Sequence, residues 1–330
     1  MRLPPEITDR VIDELSYEHQ TLSSCTLVSR NFLPRSRLHF FRHVILSTPQ
    51  SCKRFHELIL SNPSIASLVK SLEIDTDPRY KCKEDIHLHE LIERALFQSS
   101  SDRQWVCRDP ILQDILYLLP NVTSLTTGAM RWRNFSRIPT ALSFERALSS
   151  IASGITTLRL DYVHFDCLTD LLDMLSAFTR LKSLCLGTII AAPFAATDAE
   201  RVSLGIEELE MDMEGSSRVV EMFLLRAKLE KLRRLRVTKY FSVQVELVRA
   251  LMDLTKDSLE DLEMGTCILP ADWAKRCPPL DVSYLKSLWI EPPSCSLAQW
   301  WALSLENADA KNINLVVKDF DTSPTLGSST

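Results

Sequence analysis

Glycine is scarce in this chain, with 7 residues among 330. Nucleotide-binding folds rely on glycine-rich loops, because only glycine lets the backbone come close enough to a phosphate group. The sequence contains no Walker element, no paired-glycine element and no Gly-x-Ser-x-Gly motif of the kind that carries a nucleophilic serine. A nucleotide-binding or hydrolase fold therefore has no support in the sequence.

An excess of basic charge is lacking as well. Lys and Arg number 38 against 43 Asp and Glu, which gives a formal net charge of -5. Since binding to nucleic acid or to an anionic membrane normally rests on a clear surplus of Lys and Arg, we expect neither as a partner. No apolar run reaches the about 18 residues of a transmembrane helix, and no signal-peptide pattern is present. We expect a protein of the cytoplasm, the nucleus or both.

Metal-binding patterns are incomplete. The 9 cysteines are odd in number and form no Cys-x-x-Cys pair, so we expect reduced thiols that act mostly as small hydrophobic side chains. His39 and His43 have the spacing of two ligands on one helix face but lack a third ligand, and Cys82 with His87 and His89 lacks a second cysteine pair. We therefore predict no metal and no cofactor.

One short pattern recurs along the chain: an aliphatic residue, two variable residues, Leu, one variable residue and a second aliphatic residue. Leu72 and Leu125 stand at the centre of two upstream copies, about two periods apart, which predicts one degenerate or helical repeat between them. A last apolar stretch, 313–317, continues the register at the other end. The central leucines of the regular copies follow one another every 25 to 27 residues and are Leu158, Leu184, Leu209, Leu235, Leu262 and Leu288.

This period lies within the 20–29 residues of leucine-rich repeats, and the copy around Leu262 continues to Cys267 and Leu269 as the full pattern of that family requires. Amphipathic helical patterns lie between the copies, as at 144–151 and 168–178, and Asp109 before a proline predicts a helix start. The chain resembles the leucine-rich-repeat family over roughly residues 65–318. The resemblance implies an α/β solenoid, a horseshoe with parallel strands on the concave face and helices outside.

The first 46 residues carry a different pattern. Leu-Pro-Pro-Glu-Ile at 3–7 is followed by spaced aliphatic residues, by Val-Ser-Arg at 28–30 and by a Leu-x-x-Phe element at 38–41. These elements resemble the F-box family, although phenylalanine at position 32 stands where that family commonly has Trp. The resemblance implies a three-helix module that binds the Skp adaptor through Leu3, Pro4, Ile7, Ile12, Leu15, Leu22, Val28, Phe32 and Leu38.

A physical reason also favours a partner for this module. A segment of about 40 residues is too short to bury an independent core, so some of its apolar side chains need another surface. That surface is either the adaptor or the first repeat of the same chain. We divide the chain into an F-box at 1–46, a solenoid at 47–318 that is irregular over 47–150 and regular over 151–318, and a disordered tail at 319–330.

Charged residues occupy the variable positions of three neighbouring repeats. If the strands are in register, acidic, basic and acidic rows lie side by side, which either fixes the strand order or offers striped charges to a target protein. Trp289 in the next repeat is either an exposed contact residue or is buried by Trp300 and Trp301. The predicted target-binding residues are Glu208, Glu210, Arg234, Arg236, Asp261, Glu263 and Trp289.

Together, the two resemblances imply a substrate-recognition subunit of an SCF-type cullin–RING ubiquitin ligase, with no catalytic residue of its own. The F-box would bind the Skp adaptor, and the repeats would bind a target protein whose identity the sequence does not give. One alternative is a repeat scaffold without a role in ubiquitylation. The other is an enzyme with a site in the loops between repeats, which would require a deep pocket with converging polar groups.

Overall fold

The structure, a computed structural model, describes residues 4–74, 109–128, 131–132, 141–192, 201–268, 277–291, 295–307 and 313–317. Leu3, the group Cys82, His87 and His89, and the predicted tail at 319–330 lie outside these residues. Two compact units divide the chain, residues 1–130 with 135–155 and residues 131–134 with 156–330.

The first unit begins with three helices and a short strand. Their bounds are α1 (Pro5–Glu14), α2 (His19–Val28), α3 (Leu33–Phe40) and β1 (His43–Leu46). Three helices were predicted for this segment and three are present, but the strand was not predicted. It lies inside the predicted 1–46 module, yet β1 pairs in parallel with a strand of the repeat region. The N-terminal helices and the beginning of the sheet therefore belong to the same unit.

The rest of the first unit alternates helices and strands. The elements are α4 (Pro49–Ser61), α5 (Pro63–Ala66), β2 (Ser71–Ile74), α6 (Pro110–Leu118), β3 (Ser124–Gly128) and α7 (Ala141–Ala152). Strands β1, β2 and β3 are parallel neighbours in that order, and Leu72 lies opposite Leu125. Because β2 and β3 pair directly, no strand lies between them in the sheet, although their central leucines are about two repeat periods apart in the sequence.

Local sequence accounts for where these helices start. Asp109 accepts a hydrogen bond from the backbone N–H of Ile111 at 2.8 Å, as its position before a proline predicts. Thr48 caps α4 in the same way by accepting from the backbone N–H of Ser51 at 3.0 Å. Each cap satisfies one of the N–H groups that the first turn of a helix leaves without an intrahelical partner.

The second unit contains a large parallel sheet. In spatial order its strands are β5 (Thr157–Asp161), β7 (Ser183–Leu186), β10 (Glu208–Met211), β12 (Arg234–Phe241), β13 (Asp261–Ile268), β14 (Ser287–Ile290) and β15 (Asn314–Val317). Two small sheets accompany it, one of β4 (Arg131–Trp132), β6 (Val163–Cys167) and β8 (Ile189–Ala192), the other of β9 (Val202–Ser203) and β11 (Ala227–Lys228). The helices are α8 (Leu168–Ala177), α9 (Met213–Arg226), α10 (Val245–Leu254) and α11 (Cys295–Asn307).

The repeat register predicted from the sequence is confirmed in this sheet. Each central leucine lies directly opposite the central leucine of the next strand, from Leu158 on β5 to Leu288 on β14. All six are at most 1% exposed, and the aliphatic residue two positions later is buried as well. Leu315 on the edge strand β15 continues the row but is 43% exposed. The repeat therefore builds an α/β core of stacked leucines, which is the part of the predicted fold class that the structure shows.

The second unit begins at residue 156 and also includes residues 131–134. The change from irregular to regular repeats at 150/151 stays a prediction. The predicted boundary at 46/47 lies inside the first unit and directly follows β1. Among the described residues, no helix is long and apolar enough to cross a bilayer.

Candidate protein-binding surfaces

The three N-terminal helices have a small interior of their own. Ile12 on α1 is 1% exposed and Leu22 on α2 is 0% exposed, so both side chains stabilise the module from within. Both residues are among the predicted adaptor anchors. Apolar side chains lie on more than one face of α1, since Ile12 is buried while Ile7 and Val11 are exposed. The packing of α1 and α2 against α3 decides which face is covered.

A polar cluster joins the first helix to the third. Arg35 on α3 donates two hydrogen bonds to the carboxylate of Asp13 on α1, from Nε to Oδ1 at 2.5 Å and from Nη2 to Oδ2 at 2.6 Å. His39 Nε2 lies 2.6 Å from the same Oδ1. The hydrogen bonds from Arg35, and then from His39, hold the pKa of Asp13 well below its usual range. A bidentate pair of this kind fixes the angle between two helices as well as their distance.

Large apolar side chains are exposed on the same module. Leu27 and Tyr17 are each 87% exposed, and Val28 is 71% exposed. On α1, Ile7 and Val11 are about half exposed and lie four residues apart, on one helix face. Single exposed apolar residues are ordinary, but five within 22 positions of so short a segment make this module a candidate contact surface for another molecule.

The predicted anchors are thus divided between interior and surface. Pro4, Ile7 and Val28 are exposed, and Leu15, Phe32 and Leu38 are partly exposed. Val11, Tyr17 and Leu27 were not predicted. Val11 could have been found from its spacing of four residues from Ile7, and Leu27 from its place beside Val28. No pattern in the sequence singles out Tyr17.

A second surface lies on the exposed face of the large sheet in the second unit. Side chains alternate along a strand, so the residue before each buried leucine and the residue after it both point to the opposite face. On β10, β12 and β13 these residues are charged. We call the six the charged ladder, and they are Glu208, Glu210, Arg234, Arg236, Asp261 and Glu263.

The ladder forms two rows across the strands. In the first row, Arg234 lies between Glu208 at 3.3 Å and Asp261 at 3.6 Å. In the second, Arg236 lies between Glu210 and Glu263, each at 3.3 Å. The backbone register places the three residues of each row directly opposite one another, as the sequence predicts. Because each arginine already has a carboxylate on both sides, the arrangement favours a role in fixing strand order.

The two sides of the ladder differ in chemistry. On one side Arg159 of β5 lies 3.9 Å from Glu210, across the intervening strand that carries Cys185. Burial raises the pKa of the Cys185 thiol to about 12. On the other side Trp289 lies opposite Glu263 and is half-buried. It occupies the strand face opposite to the buried Leu288 and Ile290, while Trp300 and Trp301 lie in the interior at 0% and 2% exposure. Trp289 is therefore an aromatic side chain that flanks the second row of the charged ladder, beside Glu263.

Other candidate chemistry finds ordinary structural partners. His39 contacts Asp13, while His43 contacts the hydroxyl of Ser71 at 2.9 Å and the carboxylate of Glu73 at 3.4 Å. The two imidazoles therefore have separate partners. Within the residues that the structure covers, no group of three or more His, Cys, Asp or Glu side chains could hold a metal ion.

The chain was compared with known proteins. No protein-family model matches it. No curated protein matches it significantly either.

Proposed function

We propose that this chain is the substrate-recognition subunit of an SCF-type cullin–RING ubiquitin ligase. In this proposal the N-terminal helices form an F-box that binds the Skp adaptor, and the parallel sheet belongs to a leucine-rich-repeat solenoid that binds a target protein. The mechanism is proximity, because holding a target lysine near the charged ubiquitin carrier raises its effective concentration. No side chain of this chain takes part in the chemistry.

The observation that carries the proposal is the exposed apolar surface of α1 and α2. Leu27 and Val28 at the end of α2 are too exposed to contribute to the module's own interior, which Ile12 and Leu22 already fill. The F-box pattern places an adaptor contact at Val28, and Leu27 directly precedes it in the sequence. The Asp13–Arg35 pair holds α1 against α3, so the part of the surface that α1 carries is in place before the partner binds.

The sheet supports the second half of the proposal. A row of short parallel strands presents charged and polar side chains on one face, a broad surface of the kind that a protein target can contact. The ladder neutralises itself, so we assign target contact mainly to its two sides, Arg159 and Trp289, with the ladder supplying background charge.

Co-purification with the Skp adaptor tests the adaptor half. The Leu27→Ala, Val28→Ala double substitution deletes five carbon atoms, worth about 4 kcal/mol if binding buries them all, so affinity should fall roughly a thousandfold. Val243→Ala is the matched control, because Val243 is 79% exposed in the second unit and should leave adaptor binding unchanged. Neither variant should alter the unfolding midpoint, since all three side chains are exposed.

A well-folded wild-type chain that does not bind the adaptor overturns the proposal. The same experiment separates it from the scaffold alternative. If the adaptor binds but cullin is absent from the purified complex, the chain acts as a repeat scaffold without a ubiquitylation role.

A further inference from the structure

A third row of charges lies immediately before the strands of the second unit. We call it the strand-start row, and its members are Lys182, Glu207, Arg233, Glu260 and Lys286, which alternate in sign. Their backbones are linked in sequence: each residue from Glu207 onward donates its N–H to the carbonyl of the preceding member, at 2.7 to 2.8 Å. Each side chain in the row therefore extends from a backbone position that the sheet itself fixes.

The two outer lysines neutralise the two carboxylates of this row. Lys182 Nζ lies 3.0 Å from Glu207, and Lys286 Nζ lies 2.9 Å from Glu260. Arg233 stands between these carboxylates, is exposed, and has no ion-pair or hydrogen-bond partner for its guanidinium among the described residues. Its neighbour Arg234 shows the contrast, because it contacts a carboxylate on each side. The row is thus one negative charge short, at its centre.

Arg233 lines a cavity of about 540 Å³, which is within the range of ligand sites in proteins. Two other cations of its wall are already engaged. Lys256 donates a hydrogen bond to Asp281 at 2.8 Å and lies over the ring of Tyr284, 5.2 Å from its centroid. The hydrogen bond from Lys256, and to a lesser extent one from Ser283, lowers the pKa of Asp281 to about 2. Lys286 is held by Glu260, as described above.

The rest of the wall carries charges of both signs. Lys231, Glu230 and Asp257 are exposed and take part in no ion pair within the described residues. Together with Glu207 and Glu260 this gives four carboxylates around the cavity. These carboxylates repel a doubly charged phosphate about twice as strongly as a singly charged carboxylate. A single carboxylate also needs only the two parallel donors of one guanidinium.

We infer that this cavity binds a carboxylate side chain, Asp or Glu, from an exposed segment of the target protein, with Arg233 as its bidentate partner. The inference rests on the proposed function for the nature of the ligand, and it deepens that function by giving the target's chemistry at one point. Arginine suits this role because its fork matches a carboxylate, and its fixed backbone reduces the ordering cost of binding.

The experiment follows the Nε–Hε signal of Arg233 by NMR in the full-length chain. The probe is the blocked tripeptide Gly-Glu-Gly, titrated into the millimolar range because so small a ligand binds weakly, with Gly-Gln-Gly and Gly-phosphoserine-Gly as comparisons. The signal is assigned by its absence from the Arg233→Lys variant. Arg234→Lys is the matched control, since it also exchanges a guanidinium for an ammonium but in a position already paired on both sides.

We expect the glutamate probe to move the Arg233 signal in a saturable way in the wild type and in Arg234→Lys, and the glutamine probe to leave it in place. No movement with the glutamate probe, or equal movement with glutamine, overturns the inference. Stronger movement with phosphoserine overturns the choice of a carboxylate in favour of a phosphorylated segment. Arg233→Lys should bind the adaptor like the wild type, so failure of this site is distinguishable from failure of the ligase proposal.

Discussion

Replacing Arg236 by alanine removes the cation that lies between Glu210 and Glu263, at 3.3 Å from each. Coulomb's law at an effective dielectric constant of 20 gives about 5 kcal/mol for one such pair before desolvation. The side chains are 36%, 31% and 20% exposed, so solvent screens them and their ordering costs entropy. Measured exposed pairs are worth about 0.2–1 kcal/mol, and that is the magnitude we expect for each contact.

A double-mutant cycle isolates one contact. The free energy of unfolding is measured by urea denaturation for the wild type, Glu210→Ala, Arg236→Ala and the double variant. We expect a coupling free energy of about 0.2–1 kcal/mol that shrinks as salt concentration rises. Glu221 is the control partner because it is exposed on α9 and has no contact with Arg236, so Glu221→Ala combined with Arg236→Ala should be additive. Additive effects for Glu210 and Arg236 would refute the claim that the ladder stabilises the order of the strands.

Three further predictions concern stability and are checked by the unfolding midpoint of the full-length chain. Leu235→Ala, at a fully buried central position, should lower the free energy of unfolding by about 2–5 kcal/mol. Leu315→Ala, at the 43% exposed position on the edge strand, should lower it clearly less. Equal losses would contradict the stacked-leucine core. Asp13→Asn should lower the unfolding midpoint at neutral pH because Arg35 loses its charged partner. Since folding lowers the pKa of Asp13, the higher midpoint of the wild type should be fully present above the unfolded pKa of about 3.9 and should be lost as pH drops further. A difference in midpoint that persists in acid would contradict this cause. Gly265→Ala should destabilise the chain, because a Cβ at this site of β13 would meet a backbone carbonyl of β12, and an unchanged midpoint would show that the strands can separate at no cost.

Much of the fold could be predicted because the repeat is local and periodic. The spacing from Leu158 to Leu288 sets one buried position per strand, and a constant period allows only one register in which all of them stack. The same reasoning could not find β1 (His43–Leu46), because Val44 stands where the repeat has its central leucine. Only the structure shows that Val44 lies opposite Leu72. It could not show that Leu72 and Leu125 are neighbours either, since the doubled interval is compatible with a strand between them.

The surfaces divide in the same way between what is local and what is tertiary. The amino-acid sequence alone indicates that the N-terminal helices carry more apolar side chains than they can bury, and that charges alternate before and along the strands. Only the packing of α1, α2 and α3 decided that Ile12 and Leu22 lie inside while Leu27 and Val28 face outward, because burial depends on which helix face a neighbour covers. Likewise, only side-chain geometry decided that Lys182 and Lys286 neutralise the carboxylates beside Arg233, because alternating charges in a row can pair with either neighbour.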